Sequence, residues 1–462
     1  MIDLRNTEAV YFIGIGGIGM SAIARYFLAG GFPVYGYDRT PGPVTDALGV
    51  EGCSISFDDN EKNLPDIFSN RSKKENVLIV ITPAIPVSNR IFTFFRENSY
   101  TILKRAEVLG IISERCDTLA VSGTHGKTTV STMLAHILKQ SQADCSAFLG
   151  GISKNYNSNL LLGESKLTVM EADEYDRSFH RLLPAHAICT SVDPDHLEVY
   201  GDHQSMIEGY NIFFSKIRKG GLLVVNSSIV GKIRVPEGIR CITYGAGTDA
   251  MWYYTDIENK GECYSFTLKG PDKEIREILF PFPGRINIEN ATAAAALAMN
   301  LGVTEQELRK ALYTFMGVQR RFDIRVRKTG LTYIDDYAHH PEEIRAFVDS
   351  VREYFGTRKI TGIFQPHLFT RTRDHAGGFA ATLDKLDEII LLPVYPAREE
   401  PIPGVTSEMI FERMKAQKKY LAQKADAVKM IEKMDIDVLV TIGAGDIDRL
   451  VKPIEELLSG RA

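Results

Sequence analysis

Four clusters of residues in this chain have the types and spacing to do chemistry. The first is Gly123-Thr124-His125-Gly126-Lys127-Thr128-Thr129, between the apolar run LAVS and the helical run VSTMLAHIL. Glycines let a turn fold backbone amides around phosphate oxygens. Lys127 supplies a cation for β/γ oxygens, and the Thr128 hydroxyl is placed to reach Mg²⁺. The loop is two residues shorter than the common G-x-x-x-x-G-K-[ST]. The order of strand, glycine turn, lysine and helix is nevertheless that of an ATP-binding loop. The second cluster, Gly14-Ile15-Gly16-Gly17-Ile18-Gly19, follows VYFI and opens a helix. It can bring amides and a helix N-terminus against a diphosphate. Asp38 ends the next strand, VYGYD, where a ribose hydroxyl would lie. The pattern fits NAD and a UDP-sugar equally well.

The other two clusters are acidic. In Val169-Met170-Glu171-Ala172-Asp173-Glu174 a carboxylate ends an apolar strand beyond the phosphate loop, where a Mg²⁺-coordinating acid belongs. Glu171 is nearest the strand end, and one or two of the three acids are expected to be merely solvated. The last cluster, Ser191-Val192-Asp193-Pro194-Asp195-His196-Leu197-Glu198, follows the run AICTS. A lone histidine is more often a cap or a core group. His196 sits between acids at a strand's C-terminal end, where α/β folds gather ligands, so it reads as a metal or phosphate contact. No nucleophilic Ser or Cys constellation accompanies these clusters.

Such loops must be held at the ends of strands, and the chain supplies the strands. Apolar runs Val10–Ile13, Val77–Thr82, Leu119–Ser122, Leu167–Glu171, Ala187–Val192, Gly221–Val225, Lys359–Phe364, Glu388–Leu392 and Val438–Ile442 alternate with amphipathic segments such as Thr128–Lys139 and Ser205–Lys219. That alternation predicts α/β domains built on parallel sheets. Two strand–glycine–helix openings about 110 residues apart are unlike a single nucleotide site. Boundaries are therefore expected near Ala106 and Phe322, giving domains 1–106, 107–322 and 323–462. Residues 240–283, with short strands and turn residues, suggest a small antiparallel excursion in the middle domain.

Length and composition agree. The 462 residues are enough for about three domains, with 44% hydrophobic and 24% charged residues. A net charge of −5 offers nucleic acid no basic field, and no apolar run reaches the roughly 18–20 residues of a membrane span. The opening MIDLRNTEAVYFIGIGG is not expected to be a signal peptide. The six cysteines form no C-x-x-C pair and read as reduced, mostly buried thiols of a cytoplasmic protein. No obligate protein partner is evident.

Taken in order, the four motifs resemble those of the Mur ligases, ATP-dependent amide-forming enzymes of peptidoglycan synthesis and cell-wall biogenesis. Gly284-Arg285-Ile286-Asn287-Ile288-Glu289-Asn290-Ala291 is similar to the family's helix-opening N-x-x-N-A, and Arg320-Arg321-Phe322 to its R-F element. Asp335-Asp336-Tyr337-Ala338-His339-His340-Pro341 and Phe364-Gln365-Pro366-His367 resemble segments of those members that act on UDP-N-acetylmuramate. The resemblance covers nearly the whole chain. It implies a Rossmann-like N-terminal domain for a UDP-sugar, a central P-loop-type ATPase domain with a mostly parallel sheet, and a Rossmann-like C-terminal domain for an amino acid. It implies ATP and Mg²⁺, and the joining of L-alanine to the lactyl carboxylate of UDP-N-acetylmuramate through an acyl phosphate. The rival within the family joins a preformed tripeptide to the same sugar nucleotide. Outside it stand an NAD-dependent dehydrogenase, which leaves Lys127, Glu171 and His196 unexplained, and a non-catalytic ATP switch.

Residue by residue, the resemblance places Gly123 to Thr129 on ATP, with Lys127 on its phosphates and Thr128, Glu171 and His196 serving Mg²⁺. Asn287 and Asn290 mark a helix near the nucleotide, and Arg321 and Asp336 bring the third domain's edge onto ATP. Gly14, Gly16, Gly17 and Gly19 cradle the UDP diphosphate, while Asp38, Thr82 and Ala84 frame the sugar nucleotide. His339, His340, His367 and Arg371 belong to the amino-acid site. His339, His340 or Asp336 is implied as the amine's base, and His340 before Pro341 fits equally a role in shaping the next helix. The family's Q-P-H-R is Gln365-Pro366-His367-Leu368 here, so Arg371 or Arg373 must replace a missing arginine. The lysine that several relatives carbamylate is absent from Met206–Asn211, where Glu208 is a substitute source of negative charge.

Overall fold

The computed structural model describes residues 7–461 other than 196, 262 and 398. The strands form three sheets. The first has the order β3-β2-β1-β4-β5, with β1 at Ala9–Ile13, β2 at Val34–Tyr37, β3 at Ser54–Ser56, β4 at Val77–Ile81 and β5 at Ile102–Lys104. Every pairing in it is parallel. The central strand reads AVYFI without alternation because it is buried along its whole length, as a strand covered on both faces must be.

The second sheet has ten strands in the order β15-β14-β13-β12-β11-β10-β6-β9-β7-β8. Its members are β6 (Asp117–Ser122), β7 (Ser146–Ser153), β8 (Ser158–Leu161), β9 (Leu167–Glu171), β10 (Pro184–Cys189), β11 (Leu222–Asn226), β12 (Arg240–Gly245), β13 (Trp252–Asn259), β14 (Tyr264–Gly270) and β15 (Lys273–Phe280). Over 240–283, where a small antiparallel excursion is expected, the structure departs from that reading at β12. The strands there extend the edge of the main sheet, and β12 runs parallel to both β11 and β13. The third sheet, β16-β17-β21-β18-β19-β20, comprises β16 (Asp323–Lys328), β17 (Leu331–Asp336), β18 (Ile360–Phe364), β19 (Glu388–Leu391), β20 (Lys419–Leu421) and β21 (Val438–Ile442). Only β16 in it runs antiparallel to its neighbour.

The chain divides into two compact units. One holds the first two sheets, in residues up to Glu258 with Ser265–Phe280 and Glu289–Phe315; the other holds the third sheet, in Met316–Ala462 with Asn259–Tyr264 and Pro281–Ile288. In the first unit one apolar cluster runs from Val10, Phe12 and Ile23 through Phe148 and Leu160 to Tyr210 and Phe214. Where helix Ile18–Ala29 meets β8, the contact is polar and buried. Asn159 accepts from Arg25 Nη1 at 2.6 Å and donates to the Ile18 carbonyl at 2.6 Å and to Ser21 Oγ at 3.0 Å. Arg25 also pairs with Glu51 at 2.7 Å. Replacing Asn159 with Ala would leave a buried Arg25 guanidinium N–H without its acceptor, which costs about 1–3 kcal/mol, while the Ile18 carbonyl keeps the Ser21 hydroxyl at 2.9 Å. A urea melt of Asn159→Ala should show a lowered midpoint with an unchanged slope; an unchanged midpoint would refute the account. The second unit has its own cluster, built on Tyr333, Ile363, Ile390, Leu439 and Ile454. Among the described residues no helix is long and apolar enough to cross a membrane.

Candidate active site

In an open parallel sheet, ligands gather at the carboxyl ends of strands where the strand order reverses. In the first sheet that point is β1, flanked by β2 and β4. The glycine turn leaves β1, Asp38 follows β2, and Thr82 follows β4. A cleft of about 670 Å³ opens there, lined by Gly14, Gly16, Gly17, Asp38, Thr82 and Ala84. Asp38 is already engaged: one carboxylate oxygen accepts the Gly16 N–H at 2.8 Å and the other the Thr40 N–H at 3.2 Å. The carboxylate thus shapes the glycine turn as well as facing the cleft. Gly19 is not among the lining residues. A Cβ there would stand 2.3 Å from Arg105 Nη1, so this glycine makes room for a guanidinium.

In the second sheet the reversal falls at β6, between β9 and β10. Register places Val121 beside Glu171 and Ser122 beside Cys189, so three strand ends meet under one loop. Gly123 has φ 132° and Gly126 φ 79°, both disfavoured for side-chain-bearing residues. There is no room for one either. A Cβ on Gly123 would come within 2.0 Å of Thr190 Oγ1, and one on Gly126 within 2.9 Å of Asn290 Oδ1. Lys127 opens helix Lys127–Lys139, with Thr128 and Thr129 in its first turn. Its Nζ donates to the Gly123 carbonyl at 2.6 Å and to Glu174 Oε1 at 2.8 Å. Burial alone would lower the lysine's pKa, but Glu174, Asp173 and Glu171 reverse that and raise it, keeping the ammonium charged. Glu174, left open above as a solvated acid, is instead wholly buried.

Glu171 ends β9, and its carboxylate lies against Gly150, where a Cβ would be 2.3 Å from either oxygen. The 190–195 segment is tied to the loop. Thr124 Oγ1 lies 2.9 Å from Ser191 Oγ, which accepts the His125 N–H at 2.9 Å, and Thr124 Oγ1 accepts the Asp193 N–H at 3.1 Å. The His125 ring lies 3.8 Å from the Asp193 carboxylate. His196 lies outside the described residues. Asn290 faces Gly126, whereas Asn287, one turn earlier and in the other unit, donates to the Pro283 carbonyl at 2.5 Å. Glu208 does not supply a free charge, since it pairs with Arg234 and accepts from Asn211.

In the third sheet Asp335 and Asp336 end the buried β17. Asp336 Oδ2 accepts the Phe322 N–H at 2.7 Å and Oδ1 the Ala338 N–H at 2.8 Å. Burial pushes the Asp336 carboxyl up to about 6, against the pull of Arg321 and of these two amides. The Arg321 guanidinium lies 5.3 Å from the Tyr337 ring. Arg320, which sequence reasoning passed over, binds Asp335 at 3.2 Å and the Gly443 carbonyl at 2.5 Å, fastening this turn to the end of β21.

His339, His367 and Arg371 come together. The two rings are 5.7 Å apart, and Arg371 Nη1 lies 3.2 Å from His367 Nδ1. Burial lowers the His339 pKa, with Glu343 opposing. His340 is separate: it is the N-cap residue of helix Pro341–Phe355, and its ring packs 4.9 Å from His375. Leu368, at the position of the family's arginine, has φ 69° and donates its N–H to the Tyr395 carbonyl at 2.9 Å. Arg373 is exposed and paired with Asp374, which leaves Arg371 as the guanidinium beside the histidines.

A phosphate loop and a glycine cleft, each at the reversal of its own sheet, and a histidine–arginine cluster beyond the strands of the third, define a nucleotide-dependent multi-domain enzyme. Residues 9–116 match the family described as Mur ligase family, catalytic domain; residues 121–298 match the Mur ligase middle domain; and residues 320–445 match the Mur ligase, glutamate ligase domain. The chain belongs to the Mur ligase family. It is 47% identical to a UDP-N-acetylmuramate–L-alanine ligase of Parabacteroides distasonis, over 99% of this chain and 98% of that protein. It is 48% identical to one of Porphyromonas gingivalis, over 98% and 99%. A solved UDP-N-acetylmuramate–alanine ligase from Thermotoga maritima shares the fold with a TM-score of 0.82 at 28% identity, over 97% of this chain and 98% of that one. A murein peptide ligase from Psychrobacter arcticus shares the fold with a TM-score of 0.69 at 21% identity.

Proposed function

We propose that this protein joins L-alanine to the lactyl carboxylate of UDP-N-acetylmuramate at the expense of ATP, in peptidoglycan synthesis. The observation that carries the reading is the pairing, inside one compact unit, of a glycine cleft with a lysine-bearing phosphate loop. The family membership narrows the chemistry to amide formation. Full-length identity of 47% to an L-alanine-adding relative favours that acceptor over a tripeptide.

In this reading Gly14, Gly16 and Gly17 offer their turn to the diphosphate, with Thr82 and Ala84 beside the sugar. Gly123 to Thr129 surround the ATP phosphates, and Lys127 neutralises charge on the transferring group. A lactyl carboxylate oxygen bonds to the γ-phosphorus as the bond to ADP breaks. The alanine amine then bonds to the acyl carbon, losing a proton, and phosphate departs. Positioning and charge neutralisation do most of the work in such a transfer. The Thr128 hydroxyl, in the first turn of helix Lys127–Lys139, and the Glu171 carboxylate, at the end of β9, are hard oxygen donors, a set that fits Mg²⁺ completed by phosphate and water. They would hold it, with His196 as a further contact, and the ion would screen charge on the phosphates. Arg321 and Asp336 serve the same nucleotide from the third domain, and Arg371 with His367 takes the alanine carboxylate. His339, held neutral by burial, is the best placed of the histidines to accept the amine's proton. This reading assigns the sugar nucleotide, ATP and amino acid to domains 1–106, 107–322 and 323–462, in a cytoplasmic setting with small molecules as partners.

The test is phosphate release from ATP with UDP-N-acetylmuramate, screened against each amino acid and the tripeptide, with products weighed by mass spectrometry. Release that requires L-alanine and yields the alanyl adduct supports the reading. Release with tripeptide alone moves the protein to the rival activity. A pH profile gives a second check. With the Asp336 carboxyl near 6, the ionised form that accepts two amides and faces Arg321 prevails above that pH and is lost below it. An acid limb in kcat near pH 6 is expected in the wild type and should vanish in Asp336→Asn. The same limb in both enzymes would assign it to another group.

A further inference from the structure

The turn Thr82-Pro83-Ala84 divides two cavities. Thr82 and Ala84 line the glycine cleft. Pro83 lines a second cavity of about 90 Å³, together with Lys104, Arg105, Arg177, Ser178 and Arg181. It is far smaller than the glycine cleft and has room for a carboxylate and a few waters. Its ion pairs are loose: Lys104 stands 3.8 Å from Asp176, and Arg181 3.5 Å from Glu107. Cations outnumber acids even with Asp173 counted.

Arg105 is the least exposed of these cations for which an ion pair is formed, at 23%. It lies over the opening turn of helix Ile18–Ala29, in the space that Gly19 leaves. Its Nη2 donates to Asp173 at 2.8 Å, and Asp173 precedes Glu174, the partner of Lys127. A chain of contacts, Gly19 against Arg105, Arg105 on Asp173, and the adjacent Glu174 on Lys127, thus links the glycine turn to the loop lysine. The opposite wall is strained. Asp176 and Arg177, neither a glycine, both have left-handed backbones at φ 53° and 55°. They are held there by the Arg177 N–H on the Glu174 carbonyl and by the Arg177 guanidinium over the Tyr200 ring. Strain of this kind persists where surrounding structure imposes it, and it clusters at ligand sites.

The geometry points to Arg105 as the residue that receives the carboxylate of the sugar nucleotide, making the site specific for a nucleotide sugar that carries an acid over one that does not. The inference rests on the proposed substrate reading. A guanidinium suits the task because its planar fork matches a carboxylate, and the Asp173 bond uses Nη2 while Nη1 faces the Gly19 side. It also explains the third glycine of the opening motif, which serves Arg105 and not the cleft.

The test is calorimetry on the full chain, wild type against Arg105→Ala, Arg105→Lys and Asp173→Asn. Two ligands are used: UDP-N-acetylmuramate, and UDP-N-acetylglucosamine, which lacks the lactyl acid. Wild-type failure to bind the muramate would sink the substrate reading itself. Given that binding, Arg105→Ala should weaken the muramate by about 10- to 100-fold, the range for losing a charge-assisted bond. The glucosamine ligand should change less than about threefold, and Arg105→Lys should restore part of the loss. Asp173→Asn, which breaks the same ion pair but keeps the guanidinium, should leave muramate affinity intact. Equal losses for both ligands, or a loss reproduced by Asp173→Asn, would overturn the inference and make Arg105 a diphosphate contact or a structural tie.

Discussion

Lys127→Ala should lose at least about 10²–10³ in kcat and should also become less stable, and the two losses should be separable. The first follows from removing the cation that the phosphate loop places on the transferring group, since deleting one such electrostatic contact costs about that factor. The second follows from Glu174. That side chain is 1% exposed and pairs with Lys127 at 2.8 Å. Taking one partner from a buried ion pair leaves an uncompensated charge and costs about 3–5 kcal/mol. Glu174→Gln in the Lys127→Ala background removes that charge while keeping the shape. The double variant should therefore regain most of the lost melting temperature and none of the lost rate. Rates measured with saturating ATP and UDP-N-acetylmuramate, beside thermal melts of the wild type, the single variant and the double variant, settle both points. Near-wild-type turnover in Lys127→Ala would remove the loop from the mechanism. Restored turnover in the double variant would show that the single variant was merely misfolded.

What the sequence disclosed, and what it withheld, follows from how local each feature is. Gly123, Gly126 and Lys127 were legible because the turn, the cation and the helix start are contiguous, and the left-handed backbones need glycine whatever surrounds them. Glu171 was legible as the last residue of an apolar strand. Glu174 was not. Only three residues later, it is buried because Lys127 folds onto it and Tyr200 closes over it, donating to its carbonyl at 2.7 Å; nothing in the run EADE announces this. Asp38 was placed correctly by the strand count, but its bond to the Gly16 amide is a tertiary fact. Over 240–283 the short strands and turns were legible, but the parallel direction of β12 was not, because it is set by its pairing with β11 and β13. Among the two histidines before Pro341, adjacency in sequence gave no hint that His339 turns toward His367 while His340 turns toward His375.

Asp336→Ala should reproduce Arg321→Ala: kcat down by about 10²–10³, UDP-N-acetylmuramate affinity within about threefold of wild type. The argument runs through the turn that carries Arg321. Arg320 and Phe322, on either side of it, both have left-handed backbones, at φ 62° and 44°. Such a turn is unfavourable for these residues and must be held. Asp336 holds it, one oxygen on the Phe322 amide and the other on the Ala338 amide. Removing the carboxylate leaves two buried N–H groups without that acceptor and lets the turn relax, so the guanidinium loses its direction although it is still present. If Asp336 works through Arg321 in this way, the double variant should be little slower than either single one. Independent contributions would instead multiply, because effects of residues that act as a unit are the ones that fail to add. Single-turnover rates for the two single variants and the double, with sugar-nucleotide affinities by calorimetry, decide it. Multiplying rate losses would make Asp336 a direct contact in its own right. Weakened sugar-nucleotide binding with an intact single-turnover rate would move both residues away from phosphoryl transfer and into recognition of the first substrate.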